Sequence, residues 1–167
     1  MIALKITDIK NFMNQFLGSD TFDSFLLLEA VIRKDATFTI DGHLNTDYYS
    51  STELEENGLA GCEILSFRTL RPVCYQLIRG SHTPASFRFV LALSPEQTAS
   101  TLQQSASGLG SRDVAGILFN LNFHEGTLTL TTGISYRTFT MDHTLDHEWD
   151  SLLQKFLNRH QICYEEV

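Results

Sequence analysis

Apolar residues along the chain follow two spacings, alternation and a helical repeat, which together predict a mixture of strands and helices. Near the start, Ile2, Leu4 and Ile6 alternate with other residues as in a short strand. The next apolar residues are three and four positions apart and predict a helix that ends at Gly18. The runs SFLLLEAVIR and TFTIDG, joined by KDA, then predict a β-hairpin over residues 24–42.

The middle of the chain has weaker patterns. The run TELEENG at 52–58 is compatible with one helical turn, and CEILSFRTL at 62–70 has the composition of a strand. Pro72 favours the first turn of a short helix over 72–79, because proline fits that position best.

The second half starts with a strong helix signal. SFRFVLAL at 86–93 predicts a strand, and it is followed directly by SPEQ. Ser94 as N-cap, Pro95 at the first helical position and Gln97 at the third predict a helix that continues to about residue 105.

The remaining elements repeat the strand pattern and end in a helix. VAGILFNLNF and TLTLTT, joined at HEG, predict a hairpin over 114–132, and a further strand is expected around 135–141. Apolar residues at helical spacing predict an amphipathic helix over 144–160, with Thr144 as its cap.

Two segments of the chain repeat one pattern: DTFDSFLLLEAVIRKDATFTIDG at 20–42 and SRDVAGILFNLNFHEGTLTLTTG at 111–133. Their residues match at a constant offset of 90, which places Asp23 on Asp113. A fixed offset indicates a duplicated supersecondary unit. The agreement fails where Glu29 falls on Phe119, which predicts a β-bulge in one copy.

These patterns predict a single α+β domain built from two βαβββ halves related by a pseudo-twofold axis. Its parts are a first half at 1–68, a connector at 69–85, a second half at 86–141 and a C-terminal amphipathic helix at 144–160, all within one domain of residues 1–167.

Residues 87–132 carry a more specific pattern, with an amphipathic helix, a loop ending in arginine, an Ile-Leu strand and an acidic-Gly-x-Leu-x-Leu hairpin. These features resemble the opening domain of the bacterial DNA polymerase sliding clamp, and they lie at Arg112, Ile117, Leu118, Glu125, Gly126, Leu128 and Leu130. The whole chain also looks similar to small uncharacterised bacterial proteins of unknown function. The clamp resemblance implies a clamp-like fold and a link to DNA transactions.

The basic residues expected on the DNA side of a clamp are few here. Clamp helices face DNA with lysine and arginine, whereas the first helix offers Lys10, the second offers none, and Arg112 lies in the loop beside it. Lys10 and Arg112 are therefore the only DNA-binding candidates. With 12 basic against 20 acidic residues and a net charge of −8, we expect binding to duplex DNA to be weak or absent.

Composition places the protein in the soluble globular class, with 43% apolar and 19% charged residues. Its three cysteines lack a C-x-x-C spacing, and we interpret them as buried thiols in a reducing cytoplasm. No stretch of the sequence is apolar and long enough for a membrane span, so we expect no membrane association.

The segment DHTLDHEWD at 142–150 concentrates histidine and acidic residues. His143 and His147 are four residues apart, which leaves an enzyme that uses the cluster from Asp142 to Glu148 as one alternative. Thr144 as a helix cap would place His143 outside the helix and separate the two rings. We therefore predict no catalytic residue, no metal site and no cofactor.

The sequence favours a non-catalytic protein-interaction or scaffold module of clamp-like fold, with an unidentified protein partner. A DNA-encircling clamp assembled from several copies is a second alternative, so a homo-oligomer is compatible with the sequence. The partner-binding candidates are apolar residues of the connector and of the last helix: Leu70, Val73, Tyr75, Leu77, Ile78 and Trp149.

Overall fold

The computed structural model describes residues 1–167, which form one seven-stranded antiparallel sheet and five α-helices. The strands are β1 (Ala3–Ile6), β2 (Leu26–Arg33), β3 (Thr37–Asp41), β4 (Ser86–Ala92), β5 (Val114–His124), β6 (Thr127–Tyr136) and β7 (Tyr164–Glu166). The helices are α1 (Ile9–Gly18), α2 (Ser51–Glu56), α3 (Phe67–Ile78), α4 (Pro95–Gln104) and α5 (Thr144–Arg159). None of these helices combines the length and apolar character that crossing a membrane requires.

The sheet has the strand order β3-β2-β4-β5-β6-β1-β7 and buries only one of its faces. Alternate residues turn to that face, so β4 buries Phe87, Phe89 and Leu91 while Arg88 is exposed. The buried residues of α1, α3, α4 and α5 belong to the same core. The opposite face, which carries Asn120 among other polar residues, remains partly exposed.

Several predicted elements are confirmed. Both hairpins form, as β2 with β3 and as β5 with β6. At the start of α4, the Ser94 and Gln97 side chains exchange hydrogen bonds with each other's backbone N–H groups at 3.2 Å, as the capping sequence predicted. The helix TELEENG forms as α2, and the C-terminal helix forms as α5.

The predicted strand over 62–70 is wrong. Ile64 and Ser66 make isolated bridges only, to His43 and Leu26. Helix α3 begins at Phe67 and contains Pro72 in its interior, where the ring is exposed. Phe67 and Cys74 are buried at helical spacing on the core side, and this burial decides in favour of a helix. The short helix that the sequence predicted over 72–79 is therefore the second half of a longer one.

Two further strands differ from the prediction. The strand expected around 135–141 ends with β6 at Tyr136, and residues 137–143 have no regular structure. The last strand, β7, was not predicted, because three residues are too few to show alternation. It pairs with β1 through Lys5 and Glu165.

The mixed α+β class is confirmed, but the clamp-like duplication is not. Strand β1 pairs with β6 and β7, whereas its expected counterpart β4 pairs with β2 and β5. The repeated hairpins thus occupy different surroundings in one sheet, and the last of the four strands expected in each half is absent.

The β-bulge inferred from the repeat is confirmed. The pairing of β2 with β4 shifts between Leu27 and Glu29, so that the buried positions move by one residue to Ala30 and Ile32. After this shift Ala30 is buried level with Leu121 across β4, while Glu29 faces away from the core and cannot match the buried Phe119.

The Gly42 backbone packs directly against the backbone of the bulge at Leu27 and Leu28. Its N–H donates to the Leu28 carbonyl at 3.0 Å, and its own carbonyl accepts from the Leu65 N–H at 2.8 Å. A Cβ atom at residue 42 would lie 1.6 Å from the Leu27 carbonyl oxygen, a distance that only glycine avoids. Gly42 therefore fixes the position where the chain leaves the sheet.

We predict that Gly42→Ala lowers the free energy of unfolding by about 3 kcal/mol, because the backbone must move to admit the methyl group. Gly116→Ala is the matched control, since a Cβ there meets no atom within 4 Å. Urea unfolding of both variants measures the difference. Equal stability of the two variants would contradict the close contact at Gly42.

Candidate interaction surface

The loop between β6 and α5, residues 137–143, presents two large apolar side chains to solvent. Phe139 is 90% exposed and Met141 is 82% exposed. Single exposed apolar residues are common on protein surfaces, but two such residues in one short loop mark a candidate contact surface. We call residues 137–143 the β6–α5 loop.

Hydrogen bonds hold this loop at both ends. At its start, the Arg137 N–H donates to the Asp113 carbonyl at 2.7 Å. At its end, the Asp142 carboxylate accepts from the Thr144 N–H at 2.9 Å and from the Thr144 hydroxyl at 2.6 Å. These bonds hold the pKa of Asp142 below its usual range. The apolar side chains therefore project from an anchored segment.

Tyr136 adds a further anchor directly before the loop. Its hydroxyl donates to Asp146 on α5 at 2.8 Å, and Asp146 also lies 3.4 Å from the His143 ring nitrogen Nδ1. Burial raises the pKa of Tyr136 above its ordinary value of 10.0, and the hydrogen bond to Asp146 adds to the shift.

The His and acidic residues of 142–148 do not converge on one point. His143 is the N-cap of α5, in the place predicted for Thr144, while His147 is exposed one turn further along. Glu148 points instead to the α4–β5 loop, where it accepts from the Ala106 N–H at 2.9 Å. The structure brings no three His, Cys, Asp or Glu side chains together in an arrangement that would hold a metal ion.

The predicted partner-binding residues divide into two groups. Val73 and Tyr75 are exposed on α3, whereas Leu70, Leu77 and Ile78 are partly buried against the core. Trp149 is 4% exposed, and its indole N–H donates to the Leu118 carbonyl at 2.9 Å. Trp149 is thus part of the core in this fold and does not share a surface with Val73 and Tyr75.

The two DNA-binding candidates lie apart. Lys10 is exposed in the first turn of α1, shortly after the C-terminal end of β1, where Lys5 pairs with Thr129 of β6. Arg112 is exposed just before Val114, which pairs with Tyr136 at the other end of β6. Because Thr129 and Tyr136 are seven residues apart in β6, roughly 23 Å of strand separates these two points.

Two other arginines are engaged in ion pairs. Arg71 holds Asp23 through two nitrogens at 2.8 and 3.1 Å, and Arg88 contacts Glu29 at 2.7 Å. The hydrogen bonds that Arg71 donates to the Asp23 carboxylate raise the pKa of Arg71. Neither arginine offers a free charge for a phosphate.

A groove of about 470 Å³ on the partly exposed sheet face was not foreseen from the sequence. Its lining is mostly polar and consists of Leu28, Glu29, Thr39, Asp41, His43 and Val90. The His43 ring nitrogen Nδ1 lies 2.5 Å from the Asp41 carboxylate, and hydrogen bonds from His43 hold the pKa of Asp41 low. The only hint in the sequence is the spacing of two residues between an acid and a histidine after a strand.

The interpretation of all three cysteines as buried thiols is wrong for two of them. Cys74 is buried, and burial raises the pKa of its thiol to about 12, so this thiol is unreactive at neutral pH. Cys62 and Cys163 are exposed because they lie in connecting segments, outside the apolar faces of the helices and strands.

One family model, described as a family of unknown function and designated DUF5721, matches residues 15–165. No curated protein and no solved structure matches the chain, so the resemblance to sliding clamps receives no support from these comparisons.

Among the five tyrosines, we predict that Tyr136 ionises at a pH well above its ordinary pKa. Because its pKa is higher in the folded than in the unfolded state, the free energy of unfolding should fall as pH rises above about 10. Alkaline titration of tyrosinate absorbance in native protein tests this. The late-titrating component should disappear in Tyr136→Phe and remain in Tyr48→Phe; its survival in Tyr136→Phe would contradict the assignment.

Proposed function

This chain belongs to the DUF5721 family of unknown function, and we propose that it is a non-catalytic protein-interaction module whose main contact is the β6–α5 loop. The reducing cytoplasm is the proposed compartment, and two exposed, unpaired thiols are consistent with it.

The observation that carries the proposal is the exposure of Phe139 and Met141 on a loop anchored at both ends. Burying a side chain of this size contributes roughly 1.5–3 kcal/mol. An anchored loop loses little conformational entropy on binding, so more of this free energy appears as affinity. Aromatic and methionine side chains are also enriched at the centres of protein interfaces.

The chemistry of the partner follows from the chain's charge. An apolar pocket is needed to accept Phe139 and Met141. The net charge of −8 favours a partner whose surface around that pocket is basic, because such a surface steers association. A protein with a basic rim around an apolar cleft fits both requirements.

The two alternatives have less support. A DNA-encircling clamp needs basic side chains on a shared surface, and Lys10 and Arg112 lie towards opposite ends of the sheet. An enzyme using residues 142–148 needs convergent groups, but Asp146, His147 and Glu148 point to different surroundings. A clamp-like ancestry would rest on the repeated hairpins alone.

We predict that a photo-crosslinking residue at position 139 captures a protein partner in the native cell, whereas the same residue at position 48 does not. Tyr48 is the control because it is 81% exposed but lies in a different segment. With the purified partner, Phe139→Ser combined with Met141→Ser should weaken binding about 100-fold, since two interface residues at about 1.4 kcal/mol each give that factor.

Tyr48→Ser should leave this affinity unchanged. Equal affinity of the double variant and the wild type would overturn the proposed contact surface. Binding of the loop to neutral lipid vesicles, with loss in the same double variant, would replace the protein partner by a membrane.

For duplex DNA we predict a dissociation constant of about 10⁻⁴ M or weaker at physiological salt, because few cations can neutralise phosphates. Fluorescence anisotropy on labelled duplex measures it. Low-micromolar binding that is steeply salt-dependent and lost in Lys10→Glu or Arg112→Glu would place the DNA clamp ahead of the interaction module.

A further inference from the structure

Strand β3 forms one edge of the sheet and lacks the usual protection against pairing with another strand. It pairs with β2 on one side only, and four of its five residues are exposed. Edge strands are commonly protected by charged side chains, especially lysine, by proline or by a bulge within the strand. The sequence TFTID contains no lysine, proline or bulge, and its one charged residue, Asp41, is the last of the strand.

The backbone groups that β3 leaves free can be identified. The Lys34 N–H donates to the Ala36 carbonyl, and the Gly42 N–H donates to the Leu28 carbonyl. Hydrogen bonds in an antiparallel pair involve every second residue, so Phe38 and Ile40 bond to β2 between these two points. The N–H and C=O groups of Thr37, Thr39 and Asp41 therefore point away from the sheet.

These free groups fit a second β3 strand in antiparallel register centred on Thr39. Thr39 would face its own copy, and Thr37 would face Asp41 of the other chain, which allows six backbone hydrogen bonds of ordinary antiparallel geometry by the alternation above. On the core side of the sheet, Phe38 would lie opposite Ile40. Phe38 is 37% exposed in the single chain, so this contact would bury apolar area.

Charge favours this edge over the rest of the surface. Strands β2, β3 and β4 with the β2–β3 turn carry three basic and three acidic residues, so this region is close to neutral although the chain carries −8: Arg33, Lys34 and Arg88 against Glu29, Asp35 and Asp41. The repulsion between two acidic copies is therefore weakest where their β3 strands meet.

The opposite edge, β7, is short and has two consecutive glutamates, which disfavour its pairing with a second copy. Pairing of β3 with β3 is also closed by its twofold symmetry and cannot extend into a fibre.

From this self-complementary edge we infer that two copies of the chain associate through antiparallel β3–β3 pairing centred on Thr39, forming one continuous fourteen-stranded sheet, twice the seven of a single chain. The inference rests on the sheet edge and is independent of the β6–α5 loop.

Sedimentation or light scattering over a wide concentration range tests the association. The mass should rise from 18.9 kDa towards twice that value with concentration. Thr39→Pro removes one outward N–H without affecting the pairing with β2, and it should abolish the rise. Glu166→Pro is the matched control in β7, at the other edge of the sheet. The Thr7 N–H bonds to the Cys163 carbonyl and the Val167 N–H to the Ala3 carbonyl, so by the same alternation the Glu166 N–H also points outward.

Cysteine crosslinking tests the register without relying on proline. In a background with Cys62→Ser and Cys163→Ser, Thr39→Cys should give a disulfide-linked dimer, since facing Cα atoms about 5.5 Å apart permit the bond. Thr37→Cys should not, because its copy would lie four residues along the strand. A constant mass of 18.9 kDa, a dimer that Thr39→Pro leaves intact, or equal crosslinking of the two cysteine variants would each overturn the inference.

Discussion

The Phe16 ring joins the parts of this protein that local hydrogen bonding does not connect. Its centroid lies 5.7 Å from that of Phe12, 5.3 Å from Phe22, 4.6 Å from Phe67 and 5.0 Å from Phe89. These rings come from α1, the segment before β2, α3 and β4, so one side chain links two helices to the centre of the sheet. Removing a buried phenylalanine typically costs 3–5 kcal/mol, a large part of the stability of a domain of this size.

This aromatic cluster places the hydrophobic core on one face of the sheet. Because α1, α3, α4 and α5 pack on the face that carries Phe89, the other sheet face is partly exposed, and many of its side chains are threonine and asparagine, which water can solvate. Two pairs of charged or titratable groups on that face contact each other, Glu29 with Arg88 and Asp41 with His43. Interaction surfaces are therefore expected at the periphery, in the loops and at the sheet edges.

Local signals in the sequence predicted the elements that depend on local interactions, and failed where distant partners decide. The capping of α4 by Ser94 could be derived because it involves residues close in sequence. The bulge near Glu29 could be derived only because it interrupts the agreement between the two repeated segments. The alternation of Phe139 and Met141 instead suggested a strand. Strand β1 begins at Ala3 opposite Thr131, so no neighbouring strand remains to pair with residues 137–141, and they form an exposed loop. Alternation cannot distinguish a strand from an extended loop, and strand order is not encoded in any single segment.

Dimerisation through β3 would place two β6–α5 loops in one assembly, so the two proposed surfaces could act together in binding a partner. Within one chain, four strand intervals separate β3 from β6. In a β3–β3 dimer, nine intervals of about 4.8 Å separate the two β6 strands, or about 43 Å across the sheet. The two β6 strands run antiparallel, and Tyr136 lies seven residues, about 23 Å, beyond Thr129, which is level with Thr39. The two β6–α5 loops are therefore at opposite strand ends and roughly 60 Å apart, measured along the sheet. A partner that repeats its apolar pocket at that spacing would bind both loops at once. The second contact would then form at a high effective concentration, so a weak dimer and a two-residue contact could together give a tight complex.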